Sequence, residues 1–479
     1  MSIIHSSYYN DYIQTFSIKK ENKINHGEVH TPYAIIKSMV ELFPHGYFSD
    51  PNLTILDPGT GQGYYSIFLF HLLNKTLAYH FPNKKKRHQH ILTKMLYMVE
   101  YNQEHLPLLK EIFGKEANIY GGDYLHESLP SYFPSSFDVI IGNPPYNSNG
   151  LKKVPTNALA NKKKDGKTIW FNFIKRSMDI LKPKGYLSFI IPSIWMKPDK
   201  YGIYDYLLSY DIQSICCLNN TETNTCFKGY AQTPTCYFLL KKEKTNHNTQ
   251  AREIRLYDKS LSSYVSYPFT IGEPIPLYGA SIIKKLMLYV SMYGSLKDYV
   301  KKTNMPSIHA SISKECSHQH LYKNVRTCTL KNKVTPELQY DYSNIPLSFH
   351  GIPKLIMAHK MYGFPYLDSS GQYGISNRDN YVLYNKPIHE LKCLQTFLST
   401  KFALYVFEST RYRMKYLEKY AFEFIPDITK MPFIQSSQHI QTINIQTINI
   451  QKIFQLSDEE MTYINEYTKK DYDFFIKYK

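Results

Sequence analysis

The chain has 479 residues, of which 43% are hydrophobic and 20% charged, with 57 Lys and Arg against 40 Asp and Glu. That length exceeds the usual reach of one hydrophobic core, so two domains, or one domain with a large appendage, are expected. No run approaches the roughly eighteen apolar residues of a membrane span, which makes the composition that of a soluble protein with no membrane partner.

The net charge of +17 suits a polyanionic partner, because release of condensed counterions drives nucleic-acid binding. Lys, Asn, Ile and Tyr are abundant together, as when an A/T-rich genome biases codon use, so the charge permits such a partner without selecting it. The start, MSIIHSSYYNDYIQTF, lacks a charged segment followed by an apolar block; no signal peptide is read, and a cytoplasmic location is expected. Seven cysteines, only Cys216 and Cys217 adjacent and none in a C-x-x-C pair, read as reduced structural thiols with no metal site.

Residues 1 to 28 show no persistent period and read as an arm. Thr31 as N-cap and Pro32 at the first helical position then predict a helix carrying Ile35, Ile36, Met39, Val40, Leu42 and Phe43 at helical spacing. LTILDPGTGQGYYSIFLFHLL runs from an apolar strand through a glycine-rich turn into an apolar helix. Asn83 to His90, with four consecutive cations at Lys84 to Arg87, reads as a charged loop or solvated face. MLYMVE is a second strand ending on Glu100, and NQEHLPLLKEIF a helix despite Pro107. NIYGGD, DVIIGNPPY and YLSFIIPS add three strands, with TIWFNFIKRSMDIL a helix between the last two, and TPTCYFLLKK closes the series near residue 240. This alternation predicts an α/β domain with a mostly parallel sheet, helices on both faces and a terminal antiparallel strand.

After the polar linker KKEKTNHNTQ the pattern changes to short strands, many Tyr and irregular loops, so the boundary is placed near residue 245: a domain over 1–245 and a mixed α+β domain over 246–479. QTINI repeats in tandem from Gln441 to Ile450, a low-complexity duplication. Ser457 and Glu460 in LSDEEM form a capping-box pattern for a last helix.

Three features carry chemistry. DPGTGQG, Asp57 to Gly63, puts glycines where backbone passes close to a ligand at the mouth of a parallel sheet; a dinucleotide turn would need a glycine where Ser66 stands. Glu100, at the end of the next strand, is suited to accept hydrogen bonds from both ribose hydroxyls of a nucleoside cofactor, with a water-facing strand-end glutamate as the alternative. Third, Asn143-Pro144-Pro145-Tyr146 leaves the apolar strand FDVIIG directly, and two prolines fix φ and remove two N–H groups, so the chain exits in a rigid turn with free carbonyls. An aromatic amine such as adenine N6 is a poor nucleophile because its lone pair is delocalised into the ring. The Asn143 side-chain oxygen and the Pro144 carbonyl are two neutral acceptors for its two protons. A carboxylate there would be costly to bury and would compete for the methyl group of a sulfonium donor. Tyr146 offers a ring for stacking an extruded base, and extrusion is required because the amine is out of reach inside a duplex.

With these motifs in this order, the sequence resembles the S-adenosylmethionine-dependent amino-methyltransferases, specifically the DNA adenine-N6 methyltransferases of restriction-modification systems whose target-recognition domain lies at the C-terminus. The resemblance covers about residues 28 to 240. It implies a Rossmann-like catalytic domain with S-adenosylmethionine held by Thr31 of HTP, by Asp57, Gly59, Gly61 and Gly63, by Glu100 at the ribose and by Asp123 of YGGD at the cofactor's adenine amine. It makes Asn143, Pro144 and Tyr146 catalytic and places Pro145 against the substrate. Phe227 in FKGYAQTPTCYFLL matches the aromatic facing the flipped base from the other side, with a core position as the equal alternative. Tyr64 and Tyr65 depart from the family, where one large apolar residue is commoner.

Asn147 to Asp165 is expected to cover the active site, with Lys162, Lys163 and Lys164 meeting DNA phosphates or simply solvated. PKLIMAHKMYGFPYLDSSGQYGISNRDN and STRYRMKYLEKY interleave Lys, Arg, His, Tyr and Asn as recognition domains do, so the expected partner is double-stranded DNA. No endonuclease constellation is found, which predicts a stand-alone modification enzyme; whether a separately encoded restriction endonuclease accompanies it is left open by the sequence. Methylation of adenine in structured RNA or of a protein glutamine amide are the rival activities, both disfavoured by HTP and by the long C-terminal region; a DNA-binding subunit without activity is disfavoured by intact Asn143 and Tyr146.

Overall fold

A computed structural model describes residues 30–148, 168–229, 231, 233–245, 251–331, 335–360, 363–413, 416–435 and 450–468. The N-terminal arm, Lys162 to Lys164 and nearly all of the QTINI repeat lie outside the described residues. The chain divides into two compact units. One is formed up to Leu256 together with Phe269–Glu273, the other by Tyr257–Pro268 and everything from Pro274.

The first unit opens with α1 (Tyr33–Val40), which buries Ile36, Met39 and Val40. Pro32, in extended conformation, is its N-cap, and no side chain caps the helix. The expected Thr31 cap is therefore absent: Thr31 is buried, and its hydroxyl is used elsewhere. β1 (Ile55–Asp57) leads through the glycine turn into α2 (Tyr64–Thr76). The cationic segment is not a loop but a helix, α3 (Lys84–His90), started by the Asn83 side chain accepting from the backbone N–H of Lys86. Its lysines are exposed while Arg87 reaches back to the Asn74 side chain and the Phe81 carbonyl, so one end of the run is anchored and the rest solvated.

β2 (Leu96–Glu100) and β3 (Asn118–Gly121) flank α4 (Leu106–Phe113), where Pro107 sits in the first turn and so removes no intrahelical hydrogen bond. β4 (Phe137–Gly142) leads to the proline turn, and α5 (Trp170–Ile180) to β5 (Leu181–Pro192). After α6 (Ile203–Leu208), β6 (Tyr210–Leu218) is a strand that the apolar patterning did not reveal. α7 (Asn220–Cys226), started by an Asn219/Glu222 capping box, returns the chain to β7 (Thr235–Lys244). β8 (Ala251–Asp258) and β9 (Ser263–Thr270) run across the division between the units.

The nine-stranded sheet has the order β3-β2-β1-β4-β5-β7-β6-β8-β9. β1 pairs in parallel with both β2 and β4, β2 with β3 and β4 with β5; β7 is antiparallel to β5 and β6 and lies between them, not at the edge. Every residue of β1 and β2 is buried, as are the last eight of β5; since successive side chains point to opposite faces, both faces are covered.

The second unit is mixed α+β. It holds β10 (Val300–Lys302), β11 (Ile312–Ser313), β12 (Tyr322–Lys331), β13 (Thr335–Ser343), β14 (Lys354–Ala358), β15 (Tyr366–Asp368), β16 (Gly374–Ile375) and β17 (Asn380–Leu383), arranged in two four-stranded sheets of order β10-β17-β14-β15 and β11-β13-β12-β16. Within it Lys354 and Asp368 form a fully buried ion pair at 2.5 Å, and Asp368 also accepts the backbone N–H groups of Gln372 and Tyr373, so the carboxylate is satisfied by the chain around it. The last helix, Asp458–Tyr467, begins with the Ser457/Glu460 capping box read from the sequence.

Candidate active site

Strand order reverses at β1, whose neighbours are β2 on one side and β4 on the other, and crevices outside the carboxyl ends of parallel strands open at such reversals. The register Leu56↔Tyr97 and Leu56↔Ile140 brings the ends of β2, β1 and β4 to one edge. Glu100, Asp57 and Asn143 therefore leave the sheet side by side, and Asp123 follows the end of β3 beyond Glu100. Residues spread over 87 positions of sequence converge because parallel strands return each chain exit to the same side.

The glycine turn is held by its own chain. Gly61 and Gly63 take the left-handed φ values of 55° and 94°, and a side chain at Gly63 would press on Leu109 and Phe113. Thr60 N–H bonds the Val99 carbonyl of β2 at 3.0 Å, and Gly61 N–H donates to Glu100 Oε2 at 2.6 Å. Glu100 Oε1 accepts the Asn102 N–H at 2.8 Å and faces His105 Nδ1 at 3.6 Å. With 6% exposure, Glu100 does not face water, which removes the alternative reading of it. One lone pair on each oxygen remains for a diol.

Asp57 is 1% exposed. Its Oδ2 accepts from the Ser66 hydroxyl at 3.0 Å, whereas its Oδ1, packed against Gly142, has no hydrogen-bond partner among the described residues. Burial pushes its pKa up to about 7; the Ser66 hydroxyl and the Gly59 backbone oppose the rise, and the nearby Glu100 charge adds to it. Above Gly59 and Gly61 there is open space where a Cβ would meet nothing. Asp123 is half-buried, and its carboxylate accepts from the Leu125 N–H and pairs with His126, both at 2.8 Å.

On the other side, Pro144 is buried and Pro145 and Tyr146 are half-buried. The Tyr146 hydroxyl points inward to the Ile190 carbonyl at 3.5 Å, and burial of that end raises its pKa well above the usual 10. Asn143 is half-buried and its Nδ2 donates to Thr31 Oγ1 at 3.1 Å, a contact across 112 residues. Among the described residues its Oδ1 accepts no hydrogen bond. Thr31 is 3% exposed, so the residue read as a helix cap is instead the partner of the amide.

His30 lies on Tyr64 with ring centroids 3.7 Å apart, and burial, with Lys228, lowers its pKa to about 4, so the imidazole is neutral. Tyr65 is buried and donates to Met39 Sδ at 3.3 Å. The chain leaves the site at Asn147, which forms a β-bridge with Thr168. Phe227 is 1% exposed at the end of α7 and is enclosed in this structure. Ser66, Tyr65 and His30 were not assigned as site residues from the sequence, although Ser66 and Tyr65 follow the glycine turn and His30 opens the HTP segment.

Residues 71–223 match the family described as Eco57I restriction-modification methylase. That stretch includes Glu100, Asp123 and the Asn143–Tyr146 turn but not the glycine turn. An adenine-specific methylase of Mycoplasma pneumoniae is 26% identical across 37% of this chain and 58% of its own length. The type II restriction enzyme and methyltransferase RM.Eco57I of Escherichia coli is 33% identical across 27% of this chain and 14% of its own. The chain thus spans little more than half of one relative and a seventh of the other. Among solved structures, a methyltransferase subunit of a type I restriction-modification system from Streptococcus thermophilus aligns over half of each chain at 18% identity with a TM-score of 0.34.

Proposed function

We propose that this chain is an S-adenosylmethionine-dependent DNA methyltransferase acting on N6 of an adenine swung out of a specific double-stranded sequence, as the modification component of a restriction-modification system. The observation that carries this reading is the state of Asn143. Its amide nitrogen is tethered to Thr31 while its oxygen accepts no hydrogen bond among the described residues, on a proline-locked turn beside a glycine bend. The family match over residues 71–223, which include Asn143, and the similarity to an adenine-specific methylase and to a restriction-modification methyltransferase support it.

The residues around the glycine bend fit the cofactor. Open space over Gly59 and Gly61, remaining lone pairs on Glu100 and the orphaned Asp57 Oδ1 supply room, a ribose partner and an acceptor for an ammonium or N–H group. A cation placed there returns Asp57 to its charged form, so its burial works for a positively charged ligand. Bound S-adenosylmethionine supplies an electrophilic methyl group on a sulfonium. The chain's own groups do the rest: Asn143 Oδ1 and the Pro144 carbonyl take the two amine protons as hydrogen-bond acceptors and turn the nitrogen lone pair out of the ring, and the Tyr146 ring stacks on the base. Neither acceptor is basic enough to keep a proton, so the amine would lose one to solvent as the N–CH3 bond forms and the S–CH3 bond of the donor breaks to leave a neutral thioether.

Double-stranded DNA is the partner we assign to the second unit, whose exposed Lys301, Lys302, His309, Lys314 and His318 suit phosphate and base-edge contacts. A separately encoded endonuclease and a cytoplasmic setting complete the proposal. Purified protein incubated with plasmid DNA and labelled S-adenosylmethionine, with modified bases mapped by sequencing, tests it. N6-methyladenine at one short motif is expected; labelling of structured RNA or protein in place of DNA overturns it.

A further inference from the structure

Asp123 stands on a short turn after β3, and a single turn of chain is too small to hold its own shape in water. Within the turn the Asp123 carbonyl accepts the His126 and Glu127 N–H groups at 3.3 and 2.9 Å, and the Asp123 side chain accepts the Leu125 N–H at 2.8 Å. Its entry is tied to the sheet by the Gly122 N–H, which donates to the Glu100 carbonyl at 3.0 Å. A side chain at Gly122 would collide with the Tyr120 ring and the Glu127 carboxylate, which are hydrogen-bonded to each other at 2.7 Å.

The other hold on the turn comes from α5. Arg176 donates from Nη1 to the Leu125 carbonyl at 3.2 Å and from Nη2 to the Glu127 carbonyl at 2.5 Å, with its Cζ 5.1 Å from the centre of the Tyr124 ring. Tyr124 is buried against Phe173, with ring centroids 5.3 Å apart, and its hydroxyl lies 2.9 Å from that of Ser177. α5 is itself firmly seated. It buries Phe173, Ile174, Ser177 and Met178, and the Ile169 N–H just before it donates to the Tyr146 carbonyl at 3.1 Å. A guanidinium that spans two carbonyls fixes position and tilt together, which a point-like ammonium does not. Leu125 is the link: its N–H orients the Asp123 carboxylate while its carbonyl rests on Arg176.

We propose that Arg176 is a positioning residue that aims Asp123 at the exocyclic amine of the cofactor's adenine, so that the purine selectivity of the site is set from α5 and not by Asp123 alone. This role rests on S-adenosylmethionine being the cofactor and on the adenine contact that the resemblance assigns to Asp123. Its signature is lost discrimination between purines, which a general loosening of the fold does not produce.

The test measures equilibrium binding of S-adenosylhomocysteine and of S-inosylhomocysteine, which carries a carbonyl oxygen where adenine has its amine, to the full chain, with thermal stability in parallel. The wild type is expected to prefer the adenosyl compound at least about tenfold, the weight of one hydrogen bond to a charged group, and Asp123→Ala to abolish the preference. Arg176→Met, which keeps an apolar stem over Tyr124, is expected to cut the preference to about twofold while inosyl affinity stays within about twofold of the wild type. In the Asp123→Ala background it removes no further preference, since one residue acts through the other. Parallel weakening of both compounds, or a preference that survives Arg176→Met, overturns the role. Should Arg176→Met fail to fold, Arg176→Lys keeps the charge without the fork and is expected to lower the preference about threefold; a full preference there is equally fatal. A wild type that binds neither compound sinks the proposed cofactor and this role together. Equal binding of both sinks the adenine contact of Asp123 and the role with it, leaving the cofactor standing, whereas an equal preference in wild type and Arg176→Met sinks only the role.

Discussion

Glu100 and Asn143 stand on the same sheet edge, at the ends of β2 and β4, and differ in how far the chain itself satisfies them. Both oxygens of Glu100 hold backbone N–H groups, of Gly61 and Asn102, so the glutamate shapes the cofactor-side turn whether or not a ligand is present. Among the described residues Asn143 is anchored through its nitrogen, and its oxygen accepts no hydrogen bond. On the proposed reading, the difference separates two roles that sequence motifs put on an equal footing: one group that would build a binding surface and one that would act on what binds there.

The largest effect should come from the unsatisfied side. Asn143→Ala is expected to lower the single-turnover rate roughly 10²–10³-fold, the range for deleting one preorganised polar group at a reacting centre, while cofactor affinity and stability stay near wild type. Equilibrium binding and rapid-quench measurements on the same preparation check this. A parallel loss of cofactor affinity would erase the distinction between the two sides.

Glu100→Ala should reverse that pattern. It strands two buried N–H groups, so a loss of about 2–3 kcal/mol in denaturant unfolding is expected, with at least a tenfold weaker cofactor and a smaller effect on turnover at saturation. Stability unchanged by this substitution would mean that the turn does not depend on the carboxylate.

Asp57 sharpens the comparison through pH. Its pKa is raised in the folded protein to about 7, so the native state holds a proton that the unfolded chain releases above about 4. Stability from this group is fully present below pH 4 and is lost as pH rises toward 7. Relative to Asp57→Asn, the wild type should therefore lose up to roughly 1.4 kcal/mol per pH unit across that window. A cationic cofactor analogue should flatten the slope by favouring the carboxylate. Parallel pH profiles for the two proteins would show that the carboxyl is ionised throughout.

The sequence exposed the parts of this site that local chemistry dictates. β1, β2, β4 and the last eight residues of β5 are mostly apolar because both faces are covered, and glycine and proline mark the turns after β1 and β4. What it hid depends on distant partners. The helix at Lys84–His90 was masked by its charge, since its stability lies in the Asn83 cap and in Arg87 reaching the turn before it. β6 was hidden because its residues alternate imperfectly and it is defined by pairing with β7, which follows it in the chain but inserts between β5 and β6. Thr31 looked like a helix cap because threonine before proline usually caps; a contact 112 residues away takes its hydroxyl instead. No local pattern can register that competition.

Tyr146 should give the smallest effect, and it separates ring from hydroxyl. The hydroxyl sits 3.5 Å from the Ile190 carbonyl, at the weak limit of a hydrogen bond, and burial keeps it protonated far above neutral pH, so it serves neither as a strong anchor nor as a base. The half-buried ring is the part able to meet a swung-out base. Tyr146→Phe is thus expected to keep turnover within about twofold and to change stability by less than about 1 kcal/mol. Tyr146→Ala, by contrast, removes a stacking surface worth about 1–3 kcal/mol and should weaken DNA binding accordingly. If Phe were as damaging as Ala, the ring would be incidental and the turn would act through the phenol, in which case the substrate side, like Glu100, would be built from groups the chain has already satisfied.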